Sequence, residues 1–214
     1  MVIDIGDLRQ NYARDGLHED DVNNNPLKQF ATWFQEATES EIREPNAMIL
    51  GTVSPDGRPR ARVVLLKNFD GQSFVFFTNY ASSKGQELID TGFASLVFWW
   101  EPLERQVRIE GRVAKVAAAA SDAYFYSRPR KSQLGAWASP QSEAIADREV
   151  LEQNFAALEA KYQDKKIPRP EHWGGFQVLP DKIEFWQGRP SRLHDRLVFT
   201  LDTEGQWSRQ RLAP

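Results

Sequence analysis

The sequence contains no cysteine and only three histidines among its 214 residues. Without cysteine there is no disulfide framework, no thiolate metal site and no cysteine nucleophile, and a reducing compartment is the natural setting. His18, His172 and His194 are too scattered to form an imidazole cluster, so no metal site is expected. No apolar run approaches the roughly 20 residues that a membrane-spanning helix needs. The opening MVIDIGDLRQNYARDG also lacks the basic-then-apolar layout of a secretory signal. The expectation is a soluble, cytoplasmic protein without membrane association. Neither G-x-G-x-x-G nor G-x-x-x-x-G-K-[ST] occurs, so a phosphorylated ligand would have to be held by side chains. An excess of positive charge is missing as well: 27 Lys and Arg stand against 30 Asp and Glu, which argues against a nucleic-acid partner.

What is present reads as a mainly β chain with peripheral helices. A polar arm over 1–26, rich in turn residues at VNNNP, precedes a single domain expected over 27–214. Residues 27–42 place Leu27, Phe30, Trp33, Phe34 and Ala37 at helical spacing. From about 48 the period shortens. MILGTV, RARVVLLK and SFVFFTN are strand-like and separated by the turns SPDGRP and NFDG. A short serine-capped helix, SSKGQELID, leads to the strands FASLVFWW and RQVRIEGRVAKV. AAASDAYFYS is helical, SRPRKSQLGAWASPQS reads as irregular, and a longer helix carries Leu151, Phe155, Leu158 and Tyr162 on one face. IPRPEHWGG breaks that helix. GFQVLP with DKIEFWQ, then RLHDRLVFTL and QWSRQRL, close the chain as strands. Strands joined mostly by tight turns imply antiparallel pairing, and seven or so of them imply a barrel.

Cations gather at four places. Read as a strand, RLHDRLVFTL puts Arg192, His194 and Arg196 on one face. Such neighbours, ~6–7 Å apart, repel by about 2–3 kcal/mol per pair at an effective dielectric near 20. A phosphate is the natural compensating group, because guanidinium donors match its oxygens in pairs. In RPRARVVLLK, Arg58 and Arg60 flank a turn and read as solvated. Arg62 and Lys67 bracket an apolar run, and being five apart they share a site only through a bulge or a strand end. In YFYSRPRKSQ, Tyr124, Arg128 and Ser132 stand four and four apart, as on one side of a helix that unwinds at Pro129. Lys84 opens a short helix, where anions are favoured.

Taken whole, the stretch from Glu184 to Arg196 carries more than an electrostatic pattern. It reads Glu184, Phe185, Trp186, Gln187, four spacer residues, then Arg192, Leu193, His194, Asp195, Arg196. This resembles the signature of the pyridoxamine 5′-phosphate oxidase family. LRQNY, RVVLLK, FFTN, ERQVR, YFYSRPRKSQLGAW, SPQS, HWGG and RLAP extend the resemblance along nearly the whole chain.

The resemblance implies an antiparallel split β-barrel homodimer with FMN in the cleft between subunits. On matching positions, FMN would be held by Arg62, Val63, Val64, Leu65, Leu66, Lys67, Phe77, Thr78, Ser83, Lys84, Gln106, Gln141, Ser142, Trp186 and Arg196. The substrate would meet Lys67, Tyr124, Arg128 and Ser132 through its phosphate. Arg192 and His194, the catalytic candidates, would lie against its ring. Arg9 and Tyr12 match an arm that folds over bound substrate. One position departs: the family commonly has a basic residue where Ser83 stands, and its loss is expected to weaken FMN binding. The implied reaction oxidises pyridoxine 5′-phosphate and pyridoxamine 5′-phosphate to pyridoxal 5′-phosphate, with O₂ as acceptor and H₂O₂ released. The alternative reading is a non-catalytic flavin-binding split barrel, for which the cluster at Tyr124, Arg128 and Ser132 has no use.

Overall fold

The computed structural model describes Tyr12 and residues 16–214, and Arg9 lies outside the described residues. Nine strands and five α-helices alternate in the order α1 (Pro26–Glu39), β1 (Ala47–Val53), β2 (Pro59–Leu65), β3 (Asn68–Phe69), β4 (Phe74–Asn79), α2 (Ser83–Thr91), β5 (Phe93–Trp100), β6 (Arg105–Lys115), α3 (Ala118–Ser127), α4 (Arg130–Ala138), α5 (Glu149–Lys161), β7 (Trp173–Gln187), β8 (Asp195–Leu201) and β9 (Trp207–Leu212). Hydrogen-bonded neighbours run β2-β1-β5-β6-β7-β4-β3, with β8 on β7 and β9 on β8. The first part of β7 pairs antiparallel with β4, from Trp173 opposite Asn79 to Val178 opposite Phe74. Its last part pairs antiparallel with β8, from Lys182 opposite Thr200 to Gln187 opposite Asp195. No helix among the described residues is long and apolar enough to cross a membrane.

Local signals explain most of the boundaries. Asn25 caps α1 by accepting from the N–H groups of Leu27 and Lys28, and Pro26 occupies the first turn, where no N–H is needed. Ser82 caps α2 by accepting from Gly85 N–H, and Gly92 closes that helix at φ 70°. A side chain at Gly85 would start 2.4 Å from the Tyr80 carbonyl oxygen, so only glycine fits there.

Two expectations are corrected. SRPRKSQLGAWASPQS is not irregular throughout, because α4 fills Arg130–Ala138. Pro129 starts this helix rather than breaking it, its carbonyl accepting from Ser132 N–H at 2.8 Å. The strand read into RLHDRLVFTL begins only at Asp195. Pro190–Arg192 form a single 3₁₀ turn, in which Ser191 and Arg192 have φ of 58° and 62°. A backbone in the left-handed region cannot extend a ladder, so Arg192, His194 and Arg196 do not form a same-face row.

The chain divides into two compact units. The first comprises Met1–Leu50, Ser95–Gly111 and Pro180–Pro214. Here α1 buries Phe30, Trp33 and Ala37, and Phe30 meets Phe98 of β5 at 5.2 Å between ring centroids. Trp33 meets Phe185 of β7 edge-on at 5.1 Å. The second unit comprises Gly51–Ala94 and Arg112–Leu179. Its core joins Phe125 of α3, Leu134 of α4, Ile167 and Trp173, with Phe155 and Leu158 of α5 packed against them.

Candidate active site

The residues singled out from sequence fall into two sets, one in each unit. In the second unit a cavity of about 480 Å³ is lined by Val63, Val64, Leu65, Lys67, Phe77, Thr78, Lys84, Tyr124, Arg128, Ser132 and Gln141. Asn79, Gly135, Ala136, Ser139 and Trp173, which sequence reasoning did not single out, complete the wall. Lys67 lines the cavity two residues past the end of β2 at Leu65, whereas Arg62 does not, so the two do not share its wall. Four nearby candidates stand outside the lining. Leu66 is buried at 5% exposure, Ser83 is exposed on the first turn of α2, Ser142 is exposed at φ 74°, and Arg62 is engaged elsewhere.

Arg62 is tied to a buried carboxylate. Its Nη2 lies 3.3 Å from Oε2 of Glu87, whose Oε1 accepts from Arg60 Nη1 at 2.9 Å. Arg60, expected to be solvated, thus has a partner although half its side chain is exposed. Lys84, one turn before Glu87 on α2, is held by neutral groups. Its Nζ donates to Oε1 of Gln141 at 2.8 Å, to Ser82 Oγ at 3.1 Å and to Thr78 Oγ1 at 3.4 Å. Burial, helped by the Arg62 charge and opposed by Glu87, holds the Lys84 pKa below its ordinary value. A cation so placed gains from an incoming anion, and the N-terminal turn of α2 adds in the same direction.

At the other end of the cavity, Tyr124, Arg128 and Ser132 do not share one helix. Tyr124 lies on α3, Ser132 on α4, and Arg128 stands between them with extended dihedrals of −73° and 150°. The residue before a proline is disfavoured from helical dihedrals, which is why the chain opens here. The ring of Tyr124 stacks on Phe77 at 4.0 Å, and Phe77 stacks on Trp173 at 5.6 Å. The Arg128 guanidinium lies 4.5 Å over the Trp173 ring. Its Nη1 is buried with no hydrogen-bond partner among the described residues. A buried guanidinium N–H without an acceptor is costly, and burial lowers the Arg128 pKa accordingly. An anion bound in the cavity would remove that cost.

The first unit carries Tyr12, Gln106, Trp186, Arg192, His194 and Arg196. Gln106 is half-buried on β6. Trp186 stands opposite Arg196 in the β7–β8 ladder, and its ring lies 4.6 Å from that of His194. Tyr12 meets both edge-on, at 5.8 and 5.6 Å. It fills a notch left by Gly188, where a Cβ would come within 2.7 Å of Tyr12 Cγ. Arg192 is exposed on the 3₁₀ turn. The Arg189 N–H donates to His194 Nδ1 at 3.1 Å, so the neutral ring carries its proton on Nε2. Burial and the charge of Arg192 push the His194 pKa down, against the pull of Asp195.

Arg189 and Arg196 of this segment find their compensation within the protein. Arg196 donates to both oxygens of Glu184, which is 5% exposed. Asp195 accepts from Arg211 Nη1 at 2.6 Å and lies 3.6 Å from Arg189 Nε. Arg211 also pairs with Glu19 at 2.7 Å and donates to the Leu17 carbonyl at 2.8 Å, so the base of the N-terminal arm is fastened to β9. The phosphate expected beside Arg196 from sequence is replaced by Glu184.

Comparison with known proteins gives a consistent picture. A family model described as pyridoxamine 5′-phosphate oxidase matches residues 34–162. A second, described as the pyridoxine 5′-phosphate oxidase C-terminal dimerisation region, matches residues 173–214. The chain is 59% identical over 214 residues to a pyridoxine/pyridoxamine 5′-phosphate oxidase from Cyanothece, covering 100% of both. It is 58% identical over 212 residues to the protein of that name from Synechocystis, covering 99% of each. Among solved structures, PhzG from Burkholderia lata in complex with tetrahydrophenazine-1-carboxylic acid superposes with a TM-score of 0.86 at 32% identity, over 94% of this chain and 98% of that one. A pyridoxamine 5′-phosphate oxidase-related, FMN binding protein from Nostoc punctiforme shares the fold, with a TM-score of 0.70 at 16% identity over 88% and 98% of the two chains.

Proposed function

The chain belongs to the pyridoxamine 5′-phosphate oxidase family, and from that premise we propose how its two residue sets divide the work of an FMN-dependent oxidase. The fold is the family's split barrel, and the enzyme converts pyridoxine 5′-phosphate and pyridoxamine 5′-phosphate to pyridoxal 5′-phosphate, reducing O₂ to H₂O₂. The flavin, when bound, accepts the hydride from the substrate's C4′ and passes electrons to O₂. The protein's contribution is placement and electrostatics.

The residues present fit FMN. Lys84, half-buried beside Thr78 and Gln141 with no carboxylate among the described residues in hydrogen-bond contact, offers charge to its phosphate, and Ser83 adds a hydroxyl at the same helix end. Arg62 stands behind them, held by Glu87. The strand end from Val63 to Lys67, with Phe77, Thr78, Gln141 and Ser142, is assigned to the flavin ring. Gln106, Trp186 and Arg196 of the first unit are assigned to the flavin as well, in a homodimer that binds FMN between subunits. We place such a protein in the cytoplasm, in keeping with its lack of cysteine.

The observation that carries the substrate assignment is the buried, unpartnered Nη1 of Arg128. Together with Tyr124, Ser132 and Lys67 along the same cavity, it accommodates a phosphate monoester. Anchoring the phosphate holds the reacting carbon in place using binding energy remote from it. Arg192 and His194 are assigned to the substrate ring. With Nδ1 engaged, His194 presents an Nε2–H donor rather than a base. Tyr12 and Arg9 are assigned to closing over the substrate.

The test is steady-state turnover of the FMN-loaded protein with pyridoxine 5′-phosphate, following H₂O₂ and aldehyde together. Arg128→Ala is expected to raise KM by about 30–100-fold, the loss typical of a charge-assisted hydrogen-bond pair. Full FMN loading without turnover would favour the flavin-carrier reading, and an unchanged KM would remove the phosphate assignment.

A further inference from the structure

No carboxylate among the described residues pairs with Arg128, yet its position decides where a phosphate can bind. It stands at the opening between α3 and α4, and its long side chain has many rotamers. Two contacts restrain it. Its carbonyl accepts from Gln133 Nε2 at 2.9 Å, which fixes the backbone but not the guanidinium. The guanidinium carbon lies 4.5 Å from the centre of the Trp173 ring and 6.0 Å from that of Phe125.

Trp173 is itself immobilised. It is 6% exposed, and its plane lies within 8° of Tyr124 and 13° of Phe77. Its carbonyl accepts from Arg169 Nη1 at 2.7 Å, and Arg169 Nε donates to Asp122 of α3 at the same distance. Its N–H donates to the Pro170 carbonyl at 3.1 Å. The indole face therefore has one height and one tilt beneath Arg128.

We propose that Trp173 is a positioning residue for the substrate's phosphate, holding the Arg128 guanidinium by a cation–π contact that leaves its charge and its Nη1 donor available. The inference rests on the assignment of Tyr124, Arg128 and Ser132 to that phosphate. The comparison with Arg62 and Arg196 gives the physical reason. Those arginines are held by Glu87 and Glu184, and a carboxylate that fixes a guanidinium also neutralises it and occupies its donors. An aromatic face attracts the cation through its quadrupole but accepts none of its in-plane N–H groups. Holding without neutralising leaves Arg128 its full charge for a bound phosphate.

The test compares Trp173→Met, Trp173→Phe, Arg128→Ala and the double variant Trp173→Met with Arg128→Ala, each FMN-loaded. KM and kcat for pyridoxine 5′-phosphate are measured together with the calorimetric Kd of the same compound. Trp173→Met is expected to raise KM and Kd roughly 10-fold with kcat within about threefold of the parent, while Trp173→Phe recovers most of the loss. In the Arg128→Ala background Trp173→Met is expected to add less than about twofold, because the two residues act through one contact. Equal damage from Met and Phe, a fall mainly in kcat, or a full additional loss in the double variant would make Trp173 an ordinary core residue and overturn the inference. If Trp173→Met does not fold, Trp173→Leu alone and with Arg128→Ala decides the question by the same additivity. An unchanged Kd in Arg128→Ala itself would instead remove the phosphate assignment, and the role of Trp173 with it.

Discussion

Arg196 stands directly across the β7–β8 ladder from Trp186 and turns its guanidinium diagonally onto Glu184, Nε to Oε1 at 2.9 Å and Nη2 to Oε2 at 3.2 Å. Residues two apart on a strand share a face, so Glu184, Trp186 and Arg196 lie on one side of the sheet. Arg108 approaches the same carboxylate at 3.5 Å, and the Ala213 carbonyl accepts from Arg196 Nη1 at 3.0 Å. The hydrogen bond to Glu184 raises the Arg196 pKa further. Both ends of the family signature thus meet in one bidentate ion pair, which fixes how Arg196 is presented.

Glu184→Gln removes the charge but keeps the shape. Because Glu184 is buried and Arg196 largely so, the expected loss is about 3 kcal/mol of unfolding free energy, read by denaturant titration. With Arg196 assigned to the flavin, kcat is expected to fall about tenfold while KM for pyridoxine 5′-phosphate moves less than about threefold. Arg196→Lys should not restore kcat, since an ammonium cannot span both carboxylate oxygens. A KM effect larger than the kcat effect would contradict the assignment.

His194 makes a second test possible, through pH. Its ring is faced by Arg192 and Asp195 along the chain, by the Arg189 N–H at Nδ1, and by Tyr12 and Trp186. Its folded pKa lies below the ordinary 6.5. A histidine with a depressed folded pKa contributes stability that is complete above the unfolded value and is lost as pH falls through the folded one. Protonation keeps the Nε2–H donor but adds a proton at Nδ1, which opposes the Arg189 N–H and releases the ring, so activity is expected to be flat above pH 6.5 and to decline only on the acid side. Gln places an amide donor near the Nε2 position, whereas Asn places it near Nδ1. His194→Gln is expected to keep roughly a tenth of kcat/KM and His194→Asn about a hundredth or less. A reversed order would mean that His194 acts through Nδ1.

How far these features were legible in the sequence depends on their range. Periodicity located α1, which buries Phe30, Trp33 and Ala37, and α5, whose Phe155 and Leu158 pack on the core around Phe125, and alternation located β1, β5 and β6, where buried and more exposed residues take turns along the strand. Pro129 misled, since a proline that breaks one helix also starts the next, and residue type alone does not say which. The strand drawn through Arg192 and His194 satisfied alternation equally well. The positive φ of Ser191 and Arg192 that stops it leaves no mark in side chains that are not glycine. Of the cavity residues, spacing and charge picked out Lys67, Lys84, Tyr124, Arg128 and Ser132, while Val63, Val64, Leu65, Phe77, Thr78 and Gln141 were named only through the resemblance. The partner of Arg196 stands in the same stretch: Glu184 lies two residues before Trp186, and the pairing of β7 with β8 sets it diagonally across from Arg196 on the same face. Trp173 carried no signal beyond standing before two glycines. That pair is explained by packing, because a Cβ at Gly174 would lie 2.1 Å from the Tyr80 hydroxyl.

Ser83 offers a gain-of-function test. It is exposed at the first position of α2, one residue before Lys84. An arginine there adds a donor and a charge near the helix N-terminus, and Ser83→Arg is expected to lower the FMN Kd by about 3–10-fold, measured by quenching of flavin fluorescence. The same titration against pH reports Lys84. Its pKa lies below 10.5, so its charge is lost earlier than that of an ordinary lysine, while a bound phosphate favours the charged form. FMN affinity is therefore expected to fall as pH rises toward 10.5, and Lys84→Met should flatten that dependence. Equal or tighter FMN binding by the parent than by Ser83→Arg would show that the serine is no handicap.

Glu87 sits behind this site and ties three elements together. At 3% exposure it accepts from Thr52 Oγ1 of β1 at 2.5 Å, from Arg60 of β2 at 2.9 Å and from Arg62 of β2 at 3.3 Å. Glu87→Gln leaves two guanidinium groups without their shared countercharge. Discounted for the half-exposed Arg60, the apoprotein is expected to lose about 2–3 kcal/mol, which corresponds to a fall in Tm of roughly 5–10 °C for a chain of this size. FMN should reverse part of that loss. Its phosphate, assigned beside Lys84 and Arg62, restores negative charge where the carboxylate is gone, so adding FMN is expected to raise the Tm of Glu87→Gln by more than it raises that of the parent. The comparison uses one FMN concentration and needs no turnover. An equal or smaller rise in the variant would mean that Arg62 answers to Glu87 alone and that the flavin's phosphate lies elsewhere.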